Sequence, residues 1–478
     1  MVFIVKPTQI VKRLCCLLLL AVPVGVYALR TGQSDEIEHL MATLHERGQF
    51  NGSIIVALDE KPIYRKAFGE ADSQSHQRFT PETISNIGSV SKQFTAMTVM
   101  ILAEQNKISY DEAVSKYIPE LGGPLNGITI RHLLNHTSGI PDVGDLGIDH
   151  PRLTNDEVLH RLGKPDFIVS KPGEKYRYSN ANYVLLAVVV ERVSGRRFAD
   201  FLADKILNPL GMRNTFVYDG SPHTRKSVAT AYDQFGNPAP ADDLMTGSSG
   251  IYSTVDDLFK WDQALDAGRL VRQSTLAEAF TPGTVKEGTS TYGFGWNIEQ
   301  KDGRKFVWHQ GAAGGYRALI ERQLAEKITV IILTNKGNSK RLQINDAILN
   351  ILEGKPYEFP KRSIAEAMYI AIGKEGLQAA IKSYQTLRAA NDASYDFSES
   401  ELNSLGYQLL YGDKKVDGAI QVFKLNTIAY PKSSNVFDSL GEAYQVSGNK
   451  PLAIESYQKA IELDPTNLHA LEMLKKLR

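Results

Sequence analysis

Cysteine is almost missing from this 478-residue chain: there are two, Cys15 and Cys16, and they are adjacent. The rest of the sequence therefore has neither a disulfide framework nor a thiolate metal site. An excess of charge is missing as well. Lys+Arg and Asp+Glu stand at 54 each, which sets up no field for drawing in nucleic acid or an anionic membrane. The ten histidines show no H-x-x-H or H-E-x-x-H spacing. His132 and His136 stand four apart, but no Glu follows His132, so no metal and no cofactor are expected.

What is there begins with a short apolar run at residues 14–26, preceded by Lys6, Lys12 and Arg13 and ending in Val26-Tyr27-Ala28. This reads as a signal peptide, residues 1–28, cleaved after Ala28. The alternative is an uncleaved anchor, which a run this short spans only marginally across a bilayer core of about 30 Å. Either way the body is expected to be exported, to a periplasmic or extracellular location, and to touch a membrane only if the segment is retained. Cleavage removes three basic residues and no acidic ones, leaving 51 against 54 and a net charge of −3.

The remaining length exceeds what one core supports, so at least two domains are expected. A helical pattern at 36–50 is followed by two strand-like runs, 52–58 and 62–69, separated by Asp59-Glu60-Lys61; they read as a hairpin. Ser89 is expected to open an apolar helix. The middle is helical, with a buried helix at 184–193. Strands are expected at 292–298, 305–309, 316–322 and 328–335, then a helix at 342–352. Strands at both ends of a helical middle imply an α+β domain, residues 36–355, with one antiparallel sheet flanked by helices.

Three short motifs carry the chemistry: Ser89-Val90-Ser91-Lys92, Tyr178-Ser179-Asn180 and His309-Gln310-Gly311. S-x-x-K alone is weak, since it recurs at Ser447 and Ser456 in a segment without other catalytic features. The combination supplies the parts that acyl transfer through a serine ester needs. Lys92 lies on the same helical face as Ser89 and is one candidate base; Tyr178 is the other. Asn180 has an amide that reaches Lys92 with one end and a substrate carbonyl with the other. Gly311 lets a substrate approach the backbone, and the N–H groups of Ala312 and Ser89 are candidates for an oxyanion hole. His136 with Asp142 invites a Ser-His-Asp reading that no spacing supports; Asn135-His136-Thr137-Ser138 reads as a loop pin.

This order of motifs resembles the serine beta-lactamase and penicillin-recognising superfamily, and most closely its branch with class C beta-lactamases, D-alanyl-D-alanine carboxypeptidases, D-aminopeptidases and related esterases. Residues 87–96, 132–141 and 250–261 are similar to that branch as well. The resemblance implies that Ser89 is acylated, that Lys92 and Tyr178 handle protons, and that Asn180, His309 and Gly311 contact substrate. Its beta-lactamases usually carry Lys where His309 stands, which points away from efficient beta-lactam hydrolysis. The expected function is hydrolysis of D-amino-acid peptides, small esters or, weakly, beta-lactams, by an acyl-enzyme. The alternative is a low-turnover binding protein of the same fold.

Past residue 356 strand signals stop, and Ala-Ile-x-x-aromatic recurs at Ala380, Ala419 and Ala453. The last two units carry Leu-Gly upstream and Pro431 or Pro465 downstream, 34 residues apart. This period resembles tetratricopeptide repeats, expected over residues 360–478 as a groove for a protein partner or as a structural cap.

Overall fold

Strands from the two ends of the domain pair side by side. In the computed structural model, which describes residues 32–478 except 124, 149, 151, 165–169, 219, 221–226 and 242–243, β1 (Gly52–Leu58) runs antiparallel to the last strand of the domain, with Gly52 opposite Thr334. The signal-peptide reading lies outside the described residues. Around this pair sit β2 (Lys61–Phe68), β3 (Asn297–Lys301), β4 (Arg304–Ala313), β5 (Tyr316–Gln323) and β6 (Ile328–Thr334), in the order β2-β1-β6-β5-β4-β3. Every neighbouring pair is antiparallel.

β1 and β6 are buried along their whole length because both faces of the sheet are covered. Ile54, Val56, Val330 and Ile332, together with Leu319, pack on α1 (Gln33–Glu46) and α5 (Arg341–Glu353). The alternate residues, Ile55, Ala57, Ile331 and Leu333, join the larger core on the other face. That core contains α2 (Ser91–Glu104), α3 (Asn180–Ser194) and α4 (Val255–Asp266). α2 and α3 are apolar nearly all round, as fits helices buried at the centre of a layer. Arg322 on β5 reaches under the sheet to Asp262 and Asp266 of α4, both at 2.5 Å, tying that helix in place.

Two expectations are corrected. Residues 292–296 form a loop, and the strand begins only at Asn297. The alternation Tyr292, Phe294, Trp296 is real, but the intervening glycines abut other backbone: a Cβ on Gly293 would fall 2.1 Å from the Ala279 carbonyl, and Gly295 takes φ +82 against Gln93. Ser89 also precedes the α-helix, which starts at Ser91, because Gly88 at φ +51 opens a separate 3-10 turn, Gly88–Val90.

The chain ends in a helical region: α6 (Ile364–Glu375) with α7 (Leu377–Ala389), α8 (Glu399–Tyr407) with α9 (Val416–Ala429), α10 (Ser434–Val446) with α11 (Lys450–Leu463), and α12 (Leu468–Leu477). The Leu-Gly positions have a packing reason. A Cβ on Gly406 would meet the Phe423 ring at 2.5 Å, and one on Gly441 the Tyr457 ring at 2.9 Å. The region is fastened to the first domain by Lys336 and Glu366 at 2.6 Å, by Lys340 and Asp396 at 3.3 Å, and by Phe235 against Tyr369.

Candidate active site

The nucleophile turn and the third-motif strand meet where neither tolerates a side chain. A Cβ on Gly311 would lie 1.9 Å from the Ile87 carbonyl, and one on Gly88 would lie 2.5 Å from the Ala312 nitrogen. Glycine on both sides lets β4 pass directly over the turn that holds Ser89. The turn is set by Asn86, whose Oδ1 accepts the Gly88 N–H at 2.7 Å.

Lys92 sits in the first turn of α2 and is completely buried. Its Nζ lies 2.7 Å from Asn180 Oδ1, 2.8 Å from the Ser248 carbonyl and 3.1 Å from Ser89 Oγ. The first two are acceptors only. A neutral amine has two N–H groups and one lone pair, so once those acceptors take the hydrogens the lone pair faces the serine hydroxyl. Burial pushes Lys92 down to about 7, against the opposing pull of the Asp142 charge.

Tyr178 stands on the other side of Ser89, with Lys92 Nζ 4.9 Å from its ring centre. Burial drives its phenol well above the ordinary tyrosine range, with Ser89 pulling the other way and Tyr176 and Asp142 reinforcing it. The two candidate bases therefore separate: the amine is the one whose neutral form is accessible near neutral pH.

Asn180 opens α3, and its amide is fixed at both ends. Asp142 Oδ1 accepts the Asn180 backbone N–H at 2.7 Å, and Asp142 Oδ2 accepts Nδ2 at 3.2 Å. This orientation leaves Asn180 Oδ1 for Lys92. Asp142 was missed as a site residue because its partner is an amide 38 positions away, not His136. His136 does pin the loop: its Nδ1 accepts the Ser179 N–H at 3.2 Å and Asn182 Nδ2 at 3.1 Å, and its carbonyl accepts the Arg177 N–H. Its proton is then on Nε2, which has no partner and lies among the rings of Tyr178, Tyr183 and Tyr292.

His309 is buried beside the same cluster. Nδ1 donates to the Gln310 carbonyl at 2.7 Å, so Nε2 accepts the Tyr292 hydroxyl at 2.9 Å. Burial, with the Lys92 charge behind it, pushes His309 down to about 3, so the ring is neutral across the physiological range. The aromatic alternation that looked like a strand thus delivers Tyr292 to the third motif.

A buried lysine against a serine, over an antiparallel sheet packed between helices, defines a serine hydrolase of beta-lactamase-like fold. The chain belongs to the Beta-lactamase family, whose sequence model matches residues 35–353. It is 31% identical over 361 residues to penicillin-binding protein 4* of Bacillus subtilis, covering 70% of this chain and 79% of that one. Identity to the D-aminopeptidase of Brucella ovis is 29% over 320 residues, and the match spans 60% of that protein's length. Among solved structures, the octameric penicillin-binding protein homologue from Pyrococcus abyssi superposes with a TM-score of 0.61 at 31% identity, covering 67% of this chain and 77% of the other.

Proposed function

We propose that the protein is an exported serine amidase and esterase of the class C beta-lactamase-like branch, acting through an acyl-enzyme at Ser89 on D-amino-acid-containing peptides or amides and on small esters. The observation that carries this is the buried Lys92, its two N–H groups committed to Asn180 and Ser248 and its lone pair aimed at Ser89. Neutral Lys92 takes the Ser89 proton as Oγ attacks the carbonyl carbon. The oxyanion is held by the Ser89 and Ala312 N–H groups, each such donor being worth about 2.7 to 4 kcal/mol in the transition state. Tyr178 gives its phenolic proton to the leaving nitrogen or oxygen and regains one from the Lys92 ammonium. Lys92, neutral again, activates water for deacylation. A neutral His309 offers no fixed cation to a beta-lactam carboxylate, which places beta-lactams last among the substrates. The helical region is read as tetratricopeptide-like repeats, and export rests on the basic and apolar residues before Ala28.

The test is fluorophosphonate labelling, with hydrolysis of a D-alanine amide, a short-chain nitrophenyl ester and nitrocefin. The wild type is expected to be labelled and to turn over amide and ester faster than nitrocefin, with both activities lost in Ser89→Ala. An unlabelled wild type would sink the proposal.

A further inference from the structure

An open groove of about 640 Å³ lies between the two parts of the chain, lined by Phe235, Gly314 and Arg317 on one side and Tyr407, Gln408 and Tyr411 on the other. Gly314 directly follows β4, the strand of His309, Gly311 and Ala312. That strand has a free edge here: β3 pairs with it only as far as Trp308, and residues 309–313 have a strand partner on the β5 side alone. An extended peptide laid along a free edge makes main-chain hydrogen bonds, and at about 3.3 Å per residue two more residues carry it from Ala312 to the groove.

Arg317 waits there with unused donors. It is half-buried, its Nη1 donates to the Gly314 and Tyr316 carbonyls at 2.7 Å, and among the described residues Nε and Nη2 have no acceptor and the side chain has no carboxylate partner. The one acid lining the groove, Asp233, is taken up by the N–H groups of Phe235 and Asn237 and by Asn237 Nδ2. Behind Arg317, Arg341 is likewise held by neutral oxygens, Ala318 O and Gln310 Oε1. Opposite, Tyr407 and Tyr411 stack with their planes 6° apart, and Tyr411 is 53% exposed. A guanidinium with open donors beside exposed aromatic faces is suited to a carboxylate on a peptide.

We propose that this groove binds the carboxylate-bearing end of an extended peptide substrate, anchored by Arg317. The inference rests on the peptide-hydrolase reading above and gives the helical region a part in substrate choice. It also answers a question raised by His309: with the third motif neutral, the charge that selects an anionic substrate comes from outside the catalytic cleft.

The test is binding of a fluorescent D-alanyl tripeptide, as free acid and as C-terminal amide, to full-length Ser89→Ala. The acid is expected to bind about tenfold more tightly than the amide, Arg317→Gln in the same background to remove that preference, and Arg317→Lys to restore part of it. Partial rescue by lysine separates a charge contact from a structural role. Equal affinity for acid and amide, binding of neither, or an undiminished preference in Arg317→Gln overturns the proposal. Because Ser89→Ala cannot be acylated, this result is independent of the labelling test of function.

Discussion

The charge on Asp142 sets how easily Lys92 loses its proton, and Asp142→Asn measures that influence. The carboxylate holds Asn180 at 2.7 and 3.2 Å, and Asn180 Oδ1 holds Lys92 Nζ at 2.7 Å. Through one amide the two charges are about 7 Å apart, an attraction of about 2 kcal/mol at an effective dielectric of about 20. Removing it lowers the Lys92 pKa by about one to two units. Lys92 must be neutral to act, so reaction of Ser89 with a fluorophosphonate should rise with pH and reach half its plateau at about 7 in the wild type. In Asp142→Asn the midpoint should fall to about 5.5 to 6. The plateau should also fall, because one donor of Asn180 loses its acceptor at a cost of about 1 to 3 kcal/mol. The measurement is the second-order rate constant from pH 4.5 to 9. A midpoint that stays put or moves upward would show that the titrating group is not Lys92.

Tyr178→Phe keeps the ring and removes the proton donor; kcat for a D-amide should drop by about 10² to 10⁴-fold with KM little changed, and a purely KM effect would reassign the phenol to binding. Acid should destabilise the fold through His309 and His136, both pushed down by burial. Since the unfolded chain binds these protons near 6.5 and the folded chain does not, stability falls as pH drops from about 6.5 towards 3, by up to about 1.4 kcal/mol per unit for each ring. Urea unfolding at pH 7, 6 and 5 checks this, and a flat profile refutes it. Arg322→Met strands the buried Asp262 carboxylate and should cost about 3 to 5 kcal/mol in the same assay, whereas a loss under about 1 kcal/mol would mean that the triad is dispensable.

The sheet was readable because its cause is local to each strand. Ile54 to Leu58 and Val330 to Leu333 are apolar at every step, which a sheet covered on both faces requires. Ser89 and Lys92 were readable for a similar reason, three residues apart on neighbouring turns. Asp142, Ser248 and Tyr292 were not, because loops without periodicity bring them to the site, and no local pattern records which amide or carbonyl a loop will present. At residues 292–296 the pattern misled: alternation is equally compatible with a strand and with a glycine-studded loop whose small positions are filled by Ala279 and Gln93.

Burial acts in opposite ways on the two basic groups nearest Ser89. It brings Lys92 close to neutrality, where a base is useful, and it takes His309 so far below that the ring never charges. A catalytic cycle that starts from neutral Lys92 therefore begins with no fixed cation at these two positions to meet an anionic substrate. A lysine at position 309 would supply one, but its ammonium would stand in the same buried pocket and depress Lys92 further. A cation farther along the strand avoids that conflict. Arg317 lies on β5 opposite Ala312 and points its open donors at the groove shared with the helical region, where it can select a carboxylate without disturbing the protonation of the base.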